Sequence, residues 1–444
     1  MQKTILIILL LLFTLSLASA LTIEEAKQLA LSKNSKYLAQ KDAYQAAKWS
    51  KQQALGGLLP SLSLSGTYVY LDPAVSVKAG MNTITFNHDT RSTALTLSQP
   101  LFMGGKLWQA YKITGITEEM NRLSLENTRL SIINEVETKY LAVLQLNELL
   151  IISQSDLQSS KNNLAIAQVR FDNGTMSKAD YLKIQAKAAN KEVALIQSES
   201  ALELAKQDLM NTLGSTDLPE LTPVALDREE VRLIKLSQYT NEQTKEFSRK
   251  AIIVSNEHNL GLKIALAGTQ LSKKAYNIAR GSFLPTVILS ANRSYNDAGV
   301  DRYQFTGSST LALTASVPLL PLWNTYSGSR KAWYDYRKSQ SDYQTASDGI
   351  NLGVKAGALN LISSARQVTA ARIALQYTEL TYQQMQERYR NNLLSVTEML
   401  DVEVMLQAAK VSLSNSTFAY LKARSALLQA LGTDNNNDID SLME

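Results

Sequence analysis

The chain has 444 residues, with 45 Lys and Arg against 40 Asp and Glu, a formal net charge of +5, and no cysteine. Disulfides, thiol catalysis and a thiol-linked lipid anchor are therefore excluded, and so mild a basic excess leaves no footprint for nucleic acid. Length alone suggests two or three domains, but only 8 prolines and 19 glycines leave room for very long helices.

Residues 1–20 read as a secretory signal peptide: Lys3, an apolar run from Ile5 to Leu15, and Ala18-Ser19-Ala20 before an expected cleavage at Leu21. The run is short for a membrane span, and no stretch of about twenty apolar residues occurs later. A helix follows from Leu21 to Gly57, opened by a capping box of Thr22 and Glu25. The period then changes. Residues 59–70 and 93–102 alternate apolar with small polar side chains over about ten positions, the length of a tilted membrane strand. Between them lies a turn-rich segment from Asp72 to Asp89. Gly105-Lys106 is no phosphate loop, because Pro100 stands where its first glycine is required and Leu107 replaces its Ser or Thr.

A helical hairpin over 106–213 completes the first repeat, 21–213. Its outgoing arm, 106–171, predicts a helix on the order of 100 Å long. Residues 214–250 form a polar connector with Pro219 and Pro223 that joins the halves. The second repeat, 251–432, has a helix, strands 283–295 and 309–320, and a hairpin over 324–431. Residues 433–444 read as a loose polar tail.

The repeat is explicit at the tips. Arg170-Phe171-Asp172-Asn173-Gly174 and Ser177 to Asp180 correspond to Arg388-Tyr389-Arg390-Asn391-Asn392 and Ser395 to Glu398, at an offset of 388 − 170 = 218. Each Ser with the acid three residues on forms a capping box, Asp180 standing in for the usual Glu. Val136, Val143, Leu150, Leu157, Leu164 and Phe171 recur every seven residues, and the same offset gives Val354, Leu361, Val368, Leu375, Tyr382 and Tyr389. Such a seam packs helices along their length as coiled coils.

Four strands cannot close a barrel, and lipid tolerates no open sheet edge. The strands are either completed by other copies of the chain in a symmetric oligomer, or belong to a soluble sheet in an exported coiled-coil scaffold. Glu398 and Asp401, three apart, share one helix side. They are either a ring of carboxylates or a capping acid with a solvated neighbour. His88 and His258 lack partners at metal-ligand spacing, and no nucleophile or carboxylate constellation emerges. No catalysis, cofactor or metal is expected.

Gly57-Leu58-Leu59-Pro60, Gln99-Pro100-Leu101-Phe102-Met103-Gly104-Gly105 and the first tip, within the two-half plan, resemble the TolC family of outer-membrane efflux proteins across essentially the whole mature chain. The resemblance implies a mainly α fold with membrane β: duplicated long coiled-coil hairpins plus four β-strands per chain. As a homotrimer it would make a 12-stranded barrel in outer-membrane lipid and an α-helical tunnel across the periplasm. It would act as a passive exit duct for an inner-membrane transporter, reached through a periplasmic adaptor, in efflux or type I secretion. The resemblance assigns the gate to Glu398, Asp401, Tyr389 and Asp180. A basic latch residue of some members falls at Leu394, with Arg388 and Arg390 nearby as substitutes. Adaptor docking falls on Asn173, Gly174, Thr175, Met176 and Ser177 and on Asn391, Asn392, Leu393, Leu394 and Ser395, with Met176, Leu393 and Leu394 expected to be exposed.

Overall fold

A computed structural model describes residues 20–444 except 75, 86–87, 225–226, 298–304, 321 and 392. The expected signal peptide, Ala20 apart, and Asn392 thus lie outside the described residues. In chain order the elements are α1 (Ile23–Lys33), α2 (Ser35–Gly56), β1 (Ser61–Tyr70), β2 (Ser76–Ala79), β3 (Asn82–Thr85), β4 (Asp89–Met103), α3 (Lys106–Asp172), α4 (Lys178–Leu213), α5 (Asp227–Ser237) and α6 (Asn241–His258). They continue with α7 (Leu260–Gly281), β5 (Thr286–Asp297), β6 (Phe305–Ser316), α8 (Leu322–Arg390), α9 (Val396–Leu431) and α10 (Asn437–Met443). The chain divides into two compact units, one built from Asp42–Leu123 and Lys263–Ala346, the other from the remainder.

In the first unit, β1, β4, β5 and β6 form an antiparallel sheet in the order β1-β4-β5-β6, leaving β1 and β6 as its edges. One face carries Leu62, Leu64 and Tyr68 opposite Leu97, Leu95 and Arg91, and then Ala291, Arg293 and Tyr295 opposite Leu311, Ser309 and Gly307. The other carries Ser61, Ser63, Ser65, Thr96, Ser98, Asn292, Ser294 and Thr310. Prolines punctuate the ladder because they lack the N–H it needs. Pro60 and Pro285 precede β1 and β5, the β4 to β5 register shifts between Pro100 and Phe102, and β6 runs from Phe305 to Ser316 instead of reaching 320, with Pro318 beyond it. The turn-rich segment holds a small hairpin, β2 paired with β3. Where β4 hands over to α3, the backbone at Gly104 meets that at Gly281. A Cβ on Gly104 would lie 2.1 Å from the Gly281 carbonyl oxygen, and one on Gly281 would lie 2.3 Å from that of Gly104.

The second unit holds the helical cores. The single helix expected over Leu21 to Gly57 is two: α1 stops at Asn34 (φ −64°, ψ 121°) and α2 restarts beyond it. Asn34 donates to the Thr212 carbonyl at 2.9 Å and accepts from Lys36 N at 3.0 Å, so it satisfies backbone groups that a continuous helix would have paired internally. Asn259 breaks α6 from α7 the same way, donating to Ala430 O at 2.8 Å and accepting from Leu262 N at 3.1 Å. Each half has a core: Ala26, Ile132, Val136, Tyr140, Leu209 and Leu213 in the first, and Phe247, Val354, Leu361, Tyr420, Leu427 and Leu431 in the second. The heptad seam is buried at Val136, Val143, Val354, Leu361 and Val368, and only half-buried at Leu164, Phe171, Leu375, Tyr382 and Tyr389 toward the tips.

A chain of alternating charges runs through this unit: Lys27 to Glu137 (3.0 Å), Glu137 to Arg424 (2.6 Å), Arg424 to Glu229 (2.6 Å), Glu229 to Arg232 (2.7 Å) and Arg232 to Asp440 (2.8 Å). Burial opposes ionisation of Glu137, but Lys27 and Arg424 outweigh it and hold its carboxyl below the usual range. Asp440 lies in the segment expected to be a loose tail. That expectation is corrected: residues 437–443 fold as α10, with Ile439 and Leu442 in the second core and Asp440 on Arg232.

Candidate functional site: the hairpin tips

Both tips close alike. At the end of α3, Thr175 N donates to Arg170 O and Gly174 N to Phe171 O, each at 2.9 Å, with Gly174 at φ +69°, the left-handed value this helix ending uses. At the end of α8, Leu393 N donates to Arg388 O at 2.9 Å, the equivalent bond at the repeat offset.

Ser177 then accepts from Asp180 N at 3.1 Å, and Ser395 from Glu398 N at 3.2 Å. Glu398 completes its box, accepting from Ser395 N at 2.9 Å and from its hydroxyl at 2.6 Å. Asp180, one methylene shorter, reaches the Ser177 hydroxyl at 2.8 Å and turns its other oxygen toward Lys183 at 3.4 Å. The Ser395 hydroxyl and backbone hold the Glu398 carboxyl below its ordinary range, with Arg388 adding to the effect, and the Ser177 hydroxyl followed by Lys183 does the same for Asp180.

The sequence places Glu398 and Asp401 on one helix side, but their surroundings differ. Glu398 is committed to the cap, whereas exposed Asp401 borders a groove between α4 and α9 that Lys183 and Lys187 also line. Tyr389 and Asp180 are not bonded to one another. The Arg170 guanidinium lies 5.0 Å from the Tyr389 ring and so joins the two tips, while Phe171 stacks on Tyr181 with centroids 5.0 Å apart. Of the residues near Leu394, Arg390 pairs with Glu387 of its own helix at 3.1 Å. Leu393 is 68% exposed, but Met176 and Leu394 are half-buried against the expectation, because each leads into the Ser that caps the next helix.

Sequence reasoning missed a second layer just above the tips. Lys187 of α4 forms an ion pair with Glu403 of α9, and Lys191 donates to Gln407. Lys191 also pairs with Asp156 of α3 at 3.3 Å, and Asn163 of α3 donates to Glu403 at 2.6 Å. Burial, and then the charge of Glu403, push the Tyr382 hydroxyl of α8 upward. Asp156, Lys187, Lys191, Tyr382 and Glu403 line a cavity of about 230 Å³, to which all four hairpin helices contribute. The signal was present: Lys187 and Lys191 recur at helical spacing, and so do Glu403 and Gln407, at a constant offset of 403 − 187 = 407 − 191 = 216.

Among the described residues there is no group of three or more His, Cys, Asp or Glu that could hold a metal ion, and no helix long and apolar enough to cross a membrane. Among the described residues, then, the sheet has one apolar face, one polar face and two edges that no other strand covers, the alternation of a membrane-barrel segment, in a chain that also carries paired capped hairpins.

The comparisons specify the family. The model of the outer membrane efflux protein family matches residues 26–215 and 254–433, and the chain belongs to that family. It is 23% identical over 402 residues to the outer membrane protein TolC of Escherichia coli (strain K12), covering 88% of this chain and 78% of that protein. It is 20% identical to the alkaline protease secretion protein AprF of Pseudomonas aeruginosa, over 95% of this chain and 87% of that one. The crystal structure of the Campylobacter jejuni CmeC outer membrane channel superposes with a TM-score of 0.80 at 15% identity, covering 95% of this chain and 89% of that one. The protein is an outer-membrane exit channel extending into the periplasm, of the kind that serves efflux or type I secretion together with adaptor and inner-membrane partners.

Proposed function

We propose that three copies assemble edge to edge, β6 of one against β1 of the next, into a 12-stranded barrel that opens into a tunnel made by the hairpins. The observation that carries this is the sheet itself. Among the described residues no strand covers the outer side of β1 or of β6, Leu62, Leu64, Leu311 and Leu313 are between 65% and 77% exposed on one face, and serines and threonines fill the other. A membrane barrel has this alternation, with lipid outside and water inside. In this reading residues 21–213 and 251–432 are the two repeats, 214–250 contributes to the equator, and outer-membrane lipid covers the apolar face. The duct is passive, with no catalytic step and no nucleic-acid partner.

The tips form the periplasmic gate. Asp401 supplies a carboxylate to each chain's groove, Glu398 holds the α9 cap in register beside it, and the two tips are tied together by Tyr389 under Arg170 and by Lys183, which pairs with Asp180 and reaches Thr397 at 3.4 Å. The turns 173–177 and 391–395 meet the adaptor, with Leu393 as the exposed apolar contact.

Two experiments test this. Detergent-extracted protein should run as a heat-modifiable trimer; an elongated soluble monomer would replace the channel with an exported scaffold. Substituting both Glu398 and Asp401 by Ala should raise conductance and weaken cation preference. Unchanged selectivity would remove them from the gate.

A further inference from the structure

The apolar face of the sheet is interrupted by Arg293, with which no carboxylate among the described residues pairs. On this face the rows across the strands read Leu62, Leu97, Ala291, Leu311; then Leu64, Leu95, Arg293, Ser309; then Gly66, Thr93, Tyr295, Gly307. Arg293 is exposed, four residues short of the β5 end at Asp297, on the side of the sheet away from the helices. Its Nη1 donates to the Ser309 hydroxyl at 2.8 Å, and Nε and Nη2 lie 3.3 and 3.2 Å from the Tyr295 hydroxyl. Its guanidinium lies 4.8 Å from the Tyr295 ring.

Both hydroxyls are neutral, and no carboxylate pairs with Arg293 among the described residues. Arg91, one row beyond Tyr295 on β4, differs in having Asp89 at 3.0 Å. The site is also shaped. A Cβ on Gly307 would come within 2.9 Å of Arg293 Nη2 and 3.0 Å of the Tyr295 ring, so the glycine keeps a notch open in which the pair lies flat.

A cation on a lipid-facing strand is unfavourable near the bilayer midplane and tolerated near its surface, where a long side chain reaches up to the headgroups. Arg293 leans two residues along its strand to Tyr295, in that direction. A planar fork of N–H donors matches phosphate oxygens, and Leu64 and Leu95 in its own row, with Leu97 and Leu311 in the row on the helix side, offer apolar surface to acyl chains. We propose that Arg293, with Tyr295 and Ser309, is a binding site on each chain for the phosphate of an anionic lipid in the outer leaflet, the glycine at 307 leaving room for the Arg293–Tyr295 pair that would face it.

The inference rests on the barrel reading, so assembly is measured first. Wild type and R293Q are purified as trimers and placed in nanodiscs of phosphatidylcholine doped with lipid A or with its dephosphorylated form. Lipid retained per trimer is then read by native mass spectrometry. Wild type should retain up to one phosphorylated lipid per chain, R293Q about tenfold less, as loss of a charge-assisted bond implies. The dephosphorylated form should not be held by either, and excess inorganic phosphate should not displace the bound lipid. Equal retention by R293Q, equal retention of the dephosphorylated lipid, or no retention by wild type would overturn the site. Displacement by inorganic phosphate would make it a free-anion site and overturn the lipid assignment. If R293Q fails to assemble, R293L, apolar like its row neighbours, is read by the same criteria. Failure of the wild type itself to form trimers would count against the barrel, not the lipid site.

Discussion

Replacing Lys187 by Met tests the layer above the tips. The ion pair with Glu403 joins α4 of one hairpin to α9 of the other, and the two side chains are only 15% and 13% exposed. Removing one partner of a fully buried pair costs roughly 3–5 kcal/mol, mostly because the other charge is left unpaired. Here Asn163 still donates to Glu403 at 2.6 Å, and water reaches part of the site, so about 2 kcal/mol is the expected loss. If that energy holds the hairpins packed, the ratio of separated to packed tips rises about thirtyfold. The assay is conductance in a planar bilayer, with K187M, E403Q and the double variant compared in a cycle. K187M should open more often and wider, E403Q should do likewise, and the double variant should fall well short of the sum of both effects. Unchanged openings in K187M, or strict additivity, would refute the reasoning and leave the pair as ordinary helix packing.

Replacing Arg424 by Met strips one partner from both Glu137 and Glu229 and should cost about 3 kcal/mol, read as an earlier loss of helical circular dichroism on heating; an unaltered melt would contradict the charge chain. Glu137, Asp434 and Asp440 all have depressed carboxyl pKa values, Glu137 through Lys27 and Arg424 against burial, Asp434 through Arg129 and Asp440 through Arg232. Their stabilisation is therefore complete above the unfolded values of about 4 and lost as pH falls below them. Melting should be flat from about pH 5.5 to 8 and fall below about pH 4, and a fall already at pH 6 would contradict the assignment. At the junction of β4 and α3, G281A should lower trimer yield sharply because its Cβ would meet a backbone oxygen, while G268A, with nothing within 4 Å, should be neutral.

Much of this architecture is local and hence legible in the chain. A capping box spans three residues and a strand declares itself by alternation, so Ser395 with Glu398, and the serines of β1 facing away from Leu62 and Leu64, follow from spacing alone. What escaped depends on distant partners. Asp440 reads as one more polar residue in a polar tail until Arg232, 208 positions away, is placed beside it. Arg424 and Glu137 are 287 apart and sit on different repeats. Asn34 and Asn259 look like helix-interior residues because the carbonyls of Thr212 and Ala430 that they bind belong to another helix. Of Glu398 and Asp401, both proposed for the gate, one was legible. The cap of Glu398 is a matter of sequence spacing, but the setting of Asp401 needed the packing of α4 against α9, where the lysines at 183, 187 and 191 line up.

The central claim is that this chain makes a water-filled exit duct, narrow and acid-lined at its tips. Single-channel recording of detergent-purified mature protein in a planar lipid bilayer tests that most directly. Small, long-lived, cation-preferring openings are predicted. Protein that never inserts into the bilayer, remaining a soluble elongated particle, would contradict the account.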